Sequence, residues 1–306
     1  MLTFEAIQRH GPLPSHYLHE FTKHIAKDFF GQRKRLKNLW NENNNRDKGY
    51  YLERPIQQFQ TYFARSQFLV YELTDTSRQA LREQGRLCQY ATPPSGGFTH
   101  ALMTSCVTAS IELEAIKAGQ RYISQEEILA RAPMSTKTAK TPLALPTDIS
   151  HTFRKNDGST YLQYSNRPTV PDQLFGIDYG GKASFFALEV DRATEPVFRS
   201  ELKNNSYLRK ILSYRAINKT EIYKRHFGIP NLIILNVTVS TPHMQSIIDL
   251  VRELTMKKDG TYGISNCLFQ MVPDFSNYLR IPPLLPYLFT GPWLRSGKEP
   301  FHIDKA

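Results

Sequence analysis

The run Asn231-Leu-Ile-Ile-Leu-Asn-Val-Thr-Val239 does most to limit what this chain can become. It has the length of a strand, is rich in β-branched residues and is almost continuously apolar, the pattern of a strand covered on both faces. Helical periodicity lies on either side of it. One helix is predicted from about Ser206 to Ile217 and on to Arg225, another from Pro242 to Met256. A covered strand between two helices belongs in a mixed sheet with layers on both faces. Gln173 to Ile177, Ser184 to Val190 and Cys267 to Met271 read as further strands, with Gly180-Gly181 as a hairpin turn between the first two.

With 306 residues the chain is long enough for two domains. The composition shifts at Pro93-Pro94-Ser95-Gly96-Gly97, which gives a first unit over 1–88, a linker over 89–97 and a second domain over 98–306. The first unit opens with a helix from Leu2 to Arg9, broken by Gly11, Pro12 and Pro14. Ser15 caps a second helix carrying Leu18 and Phe21. A third runs from Gly31 to Trp40 on a stripe of Leu36, Leu39 and Trp40, and Asn43-Asn44-Asn45 reads as a turn. Strands at Tyr50 to Leu52 and Phe68 to Leu73 follow. A helix from Ser77 to Gln84, capped by Thr74 or Asp75 and stopped by Gly85, closes the unit. Three helices, a two-stranded ribbon and a closing helix are the parts of a winged helix-turn-helix, and YELTDTSRQALREQG resembles the wing strand and last helix of that family.

In the second domain Leu102, Cys106, Ala109, Leu113 and Ile116 recur at helical spacing within Phe98 to Lys117, and Ser124 to Glu127 is a capping box. Residues 133–165 read as irregular, with a strand at Tyr161 to Tyr164. The Pro-rich tail from Ile281 to Trp293 is expected to wrap the surface.

Charge points to a partner. Lysines and arginines exceed acids by 39 to 28, a net +11, which favours a polyanion: nucleic acid or an anionic membrane surface. No apolar stretch approaches the roughly 18 to 20 residues that a membrane span needs. The start, MLTFEAIQRHGPLP, lacks a signal-peptide pattern. Cys88, Cys106 and Cys267 are scattered, without metal-ligand spacing, and fit a reducing cytoplasm rather than a disulfide framework.

The third helix carries Arg33, Lys34, Arg35 and Lys37 with no acid between them. A helix-turn-helix inserts its second helix in the major groove, where such side chains meet phosphates or guanine edges. Gln32 and Asn38 have the chemistry to read adenine. The plain alternative is a solvated basic face on a helix that merely packs.

The candidate chemistry lies in Pro171-Asp172 and in Phe185-Phe-Ala-Leu-Glu189-Val-Asp191. Glu189 and Asp191 alternate with Leu188 and Val190, so both carboxylates point to one side of the strand. Two acids on an otherwise apolar strand are costly unless compensated, and a divalent ion does that. Asp172, Glu189 and Asp191 are therefore candidate ligands for Mg2+ or Mn2+.

This arrangement resembles the PD-(D/E)XK nuclease superfamily, with Asp191 standing at the lysine position; Lys210, or else Lys203, is the substitute. The resemblance implies that Asp172 and Glu189 hold metal, Asp191 holds metal or orients water, and Lys210 stabilises charge or positions the nucleophile. A broader likeness covers most of the chain. A winged helix, FTHAL around His100, PDQLF, FFALEVDRATE and LRKILSY together resemble the replication-relaxation family of plasmids and other mobile elements. That resemblance marks Asp172, Glu189, Asp191, Lys210 and Tyr214, with His100 as a further site residue or else a capping or core histidine. The sequence beyond about residue 240 carries no such likeness.

The fold expected is α+β: an N-terminal winged helix-turn-helix followed by an α/β restriction-endonuclease-like domain with a central mixed sheet. The function expected is that of a DNA-binding protein of a mobile element, a metal-dependent endonuclease that nicks or cleaves the phosphodiester bonds of double-stranded DNA. The main alternative is a non-catalytic replication or mobilisation accessory factor, or a repressor, with a degenerate nuclease fold; a third is a protein-interaction scaffold. A homodimer suits a palindromic site, and other replication or mobilisation proteins are candidate partners. Glu112 and Glu114 are candidate extra metal ligands, or a solvated face. His16, His19 and His24 read as a surface cluster. Arg192, Arg209 and Arg215 either contact phosphate or pair with the acids.

Overall fold

The computed structural model describes residues 1–40, 51–59, 68–86, 97–256, 266–275 and 281–305. The turn at Asn43 to Asn45, Tyr50, Cys88 and the linker up to Gly96 lie outside them.

The N-terminal unit comprises α1 (Leu2–His10), β1 (Leu13–Pro14), α2 (Ser15–Thr22), α3 (Phe29–Trp40), β2 (Leu52–Glu53), β3 (Val70–Leu73) and α4 (Asp75–Glu83). Gly11, at φ 99°, ends α1 in a conformation that suits only glycine. Thr74 caps α4 by accepting from the Ser77 N–H. The ribbon has three strands rather than two: β3 lies between β1 and β2, antiparallel to both. The two-residue β1 is too short to show a period in sequence. Gln58 extends the ladder, since its side-chain amide accepts from the Val70 N–H at 2.8 Å and donates to the Val70 carbonyl at 3.1 Å.

The remainder comprises α5 (Phe98–Lys117), β4 (Arg121–Ile123), α6 (Gln125–Arg131), α7 (Met134–Lys137), β5 (Ile149–Arg154), β6 (Thr160–Ser165), β7 (Gln173–Asp178), β8 (Ala183–Asp191), α8 (Tyr207–Thr220), α9 (Ile222–Phe227), β9 (Ile233–Thr238), α10 (Thr241–Thr255), β10 (Cys267–Met271), α11 (Tyr287–Thr290), β11 (Pro292–Arg295) and β12 (Lys298–His302). A mixed seven-stranded sheet runs β12-β11-β10-β9-β8-β7-β4. The β8–β9 and β9–β10 pairs are parallel, and the helices between them supply the crossovers that parallel pairing requires.

Alternate residues divide between two cores. Phe175, Ile177, Phe186, Leu188 and Val237 face α5, while Leu174, Phe185, Ala187 and Ile234 face α8 and α10. Glu189 and Asp191 share the parity of Phe185 and Ala187, so the acids lie on the α8 side. Gly180 and Gly181, at φ 86° and 109°, make the β7–β8 turn, and the Asp178 carboxylate accepts from both of their N–H groups.

Three further expectations need correction. Residues 133–165 are not irregular: they hold α7 and the β5–β6 hairpin, a separate two-stranded sheet. The helix after Ser206 does not run unbroken to Arg225, because Glu221 takes a left-handed conformation (φ 50°) that separates α8 from α9. The Pro-rich tail does not wrap the surface. Leu285, Leu288, Phe289 and Trp293 are buried in the α5-side core, the Trp293 indole donates to the Leu288 carbonyl, and β11 and β12 extend the main sheet. A segment with few periodic positions can still be core when the sheet edge, rather than its own pattern, dictates its path.

The N-terminal unit is sealed onto α5. His10 lies within 2.9 Å of the Thr108 hydroxyl and 2.5 Å of a Glu112 carboxylate oxygen, and Ser105 donates to the His10 carbonyl. Phe4, Ile7, Leu13, Tyr17 and Leu18 belong to the same apolar cluster as Leu102, Cys106 and Leu113.

Candidate functional site: an acidic cluster and a basic helix

The sequence-predicted acids gather at one end of β7 and β8. Asp172 precedes β7, and its backbone N–H already pairs with the Leu188 carbonyl, which fixes it beside β8. Its Oδ2 accepts from the Val190 N–H at 2.7 Å, and its Oδ1 lies 3.0 Å from Nε2 of His100, on the first turn of α5. Glu189 is 2 % exposed; one oxygen accepts from the Tyr214 hydroxyl at 2.5 Å and the other lies 3.0 Å from Nζ of Lys210. Lys210 also reaches Glu195 at 2.7 Å. Asp191 accepts from the Thr194 and Glu195 N–H groups on one oxygen and lies 2.6 Å from His243 Nε2 with the other.

The electrostatics follow from this enclosure. Burial raises the Glu189 carboxyl above its ordinary range, and Asp172 adds to that; Lys210 and Tyr214 oppose it without cancelling it. Burial would lower Lys210, but Glu189, Tyr207, Glu195 and Asp172 outweigh it and hold the ammonium well above its usual value. The hydrogen bond to Asp172 raises His100 against the opposing effect of burial. Burial and the adjacent Glu189 push the Tyr214 hydroxyl well up, so it stays a donor.

All six oxygens of Asp172, Glu189 and Asp191 thus have a partner supplied by the chain itself. A divalent ion between Asp172 and Glu189 has to share these oxygens with Lys210 and His100 or displace them. Among the described residues no group of three His, Cys, Asp or Glu side chains is arranged to hold a metal ion. The chain itself compensates these acids, with a lysine, two histidines, a tyrosine and three backbone N–H groups.

The other candidates lie elsewhere. Glu112 bonds Arg9 and His10, and Glu114 bonds Lys117. Lys203 is exposed and pairs with Glu201 rather than with the cluster. Arg209 donates to the Arg167 and Pro168 carbonyls, Arg215 to that of Leu254 and Arg192 to that of Phe275. His16 is half-buried: its ring centroid lies 4.1 Å from that of Phe68, and burial lowers it to about 4. Sequence reasoning missed Glu195 and His243. His243 stands in the first turn of α10 behind the Ser240 cap and Pro242, a signal that places a helix start but not the partner of its third residue.

On α3, Arg33, Lys34, Arg35, Lys37 and Asn38 are exposed. Gln32 departs from expectation: it is 1 % exposed and faces inward with Leu36, so its amide is not presented to a partner.

Residues 4–233 match the family described as replication-relaxation. The chain belongs to the replication-relaxation family. The matched span takes in α3, Asp172, Glu189, Asp191, Lys210 and Tyr214, and it stops at the first residue of β9, so His243 lies beyond it. Membership supports a role connected with replication or mobilisation. No curated protein and no solved structure is significantly similar to the chain.

Proposed function

We propose that this replication-relaxation protein is a DNA-docking accessory factor of replication or mobilisation, built from a winged helix-turn-helix and a nuclease-like body whose acids are neutralised from within. The observation that carries the reading is the exposed face of α3, with Arg33, Lys34, Arg35 and Lys37 and no acid on the helix. The order α2, α3, the β3–β2 ribbon and α4 supports a winged arrangement in which α3 enters the major groove. No helix among the described residues is long and apolar enough to cross a membrane.

Fluorescence anisotropy with a labelled duplex tests this. Affinity is expected to fall steeply and log-linearly with salt, because phosphate contacts release counterions. Affinity that is absent, or indifferent to salt, would leave only an interaction scaffold.

A metal-dependent nuclease is the second reading, favoured because Asp172, Glu189 and Lys210 converge. Supercoiled DNA with Mg2+ or Mn2+ separates the two. On the first reading the wild type and an Asp172→Ala/Glu189→Ala variant leave the DNA equally intact. Nicking by the wild type alone would establish the second.

A further inference from the structure

The most exposed large apolar side chain among the described residues is Phe30, at 79 %. Isolated apolar residues on a surface are ordinary, but this one stands in a particular place. It is the second residue of α3. At roughly 100° per residue, Lys37, Lys34 and Arg33 project within about 60° of it around the helix, and Asn38 within about 80°. Gln32, Leu36 and Leu39, which turn inward, project from the opposite side. Phe30 is therefore at the centre of the basic face rather than at its apolar border. Its neighbour Phe29 has a different role: it is half-buried and packs edge-on against Phe68 and His19.

A face with cations around one aromatic ring is matched to a partner with phosphates around an apolar group. The floor of the major groove offers that combination, because thymine presents a C5-methyl group there between the two phosphate backbones. The first turn of an inserted helix is also the part that meets base edges. We infer that Phe30 reads sequence by apolar contact with a thymine methyl, while Arg33, Lys34 and Lys37 hold the backbone. This rests on the DNA-docking reading of α3 and adds to it a base class and a residue.

The test uses the full chain. A preferred duplex is selected from a randomised pool, and each thymine in it is replaced in turn by uracil, which lacks only the methyl group. At one or two positions the wild type should lose about fourfold in affinity, the worth of one buried methyl group. Phe30→Ala should bind thymine and uracil duplexes alike, with the salt dependence of the wild type; Phe30→Leu should keep part of the discrimination. Equal discrimination by the wild type and Phe30→Ala, or none by the wild type, overturns the inference. So does a Phe30→Ala defect that appears only as loss of self-association or of binding to anionic phosphatidylserine vesicles. If Arg33→Ala/Lys34→Ala/Lys37→Ala leaves affinity for every duplex unchanged, the docking reading falls as well. If that variant weakens all duplexes while Phe30→Ala changes nothing, only the assignment of Phe30 fails.

Discussion

At the scale of single residues, the Glu189–Lys210 pair decides whether the acidic cluster is a liability or a support. Removing one member of a buried ion pair leaves the other uncompensated, at a cost of about 3 kcal/mol. Lys210→Met should lower stability by that order, and by less as falling pH protonates Glu189, whose carboxyl burial already raises. The double variant Lys210→Met/Glu189→Gln should recover most of the loss; urea denaturation reads all three, and a double variant as unstable as the single one would show the pair is not the source. A second titration lies at Glu126, which burial raises to about 7 although Gln8 donates to it at 3.0 Å. Its folded-state value exceeds the unfolded one, so the folded form holds a proton that the unfolded form has released. Stability from this group is complete below about 4.5 and is lost as pH rises through about 7. Glu126→Gln should flatten that part of the pH–stability curve and stabilise the protein at pH 8 by on the order of 2 kcal/mol. The parity of Glu189 and Asp191 was legible because a strand's period is two. Their compensation was not, because His100, Tyr214 and His243 arrive from three helices distant in sequence.

At the scale of elements, legibility followed local signals. The Ser124 cap, the Thr74 cap and the long apolar stripe of α5 each announce a helix, and each helix stands where its signals put it. The β5–β6 hairpin is concealed because only Ile149 and Phe153 of its twelve residues are buried, so neither strand shows a full apolar alternation. The C-terminal segment is concealed for another reason: prolines at 282, 283 and 286 mask apolar residues that the sheet edge and α5 bury. Trp293→Ala should therefore cost about 3–5 kcal/mol, as for a large core side chain, where a tail lying on the surface would lose almost nothing. A shift in the urea midpoint measures it. For α3 the matching expectation concerns charge rather than packing. Each of Arg33→Ala, Lys34→Ala and Lys37→Ala should reduce the slope of log affinity against log salt by about one, with stability unchanged because these side chains are exposed.

At the scale of the whole molecule, the basic helix and the acidic cluster belong to one mechanical body. α1 and α2 place Phe4, Ile7, Tyr17 and Leu18 in the core that α5, β7, β8 and the C-terminal segment also fill. Tyr17 donates to the Pro283 carbonyl, and the Leu285 N–H donates to Ser110 on α5, so the first and last parts of the chain meet over the same helix. The polar seam is equally committed. His10 is fully buried between Thr108 and Glu112, burial and its neutral form go together, and Arg9 balances the Glu112 carboxylate. A unit joined in this way has little to gain by folding alone, since parting it from α5 exposes both an apolar face and a buried carboxylate. Thermal unfolding followed by calorimetry should show one transition, with calorimetric and van't Hoff enthalpies equal. His10→Ala should lower the midpoint of that transition without splitting it, and a fragment of residues 1–86 should show no cooperative melt. Two resolved transitions, or a stably folded fragment, would mean that the N-terminal unit is an independent module on a linker. In the joined case α3 is held at a fixed angle to the body, because α2, against which it packs, shares its apolar core with α5.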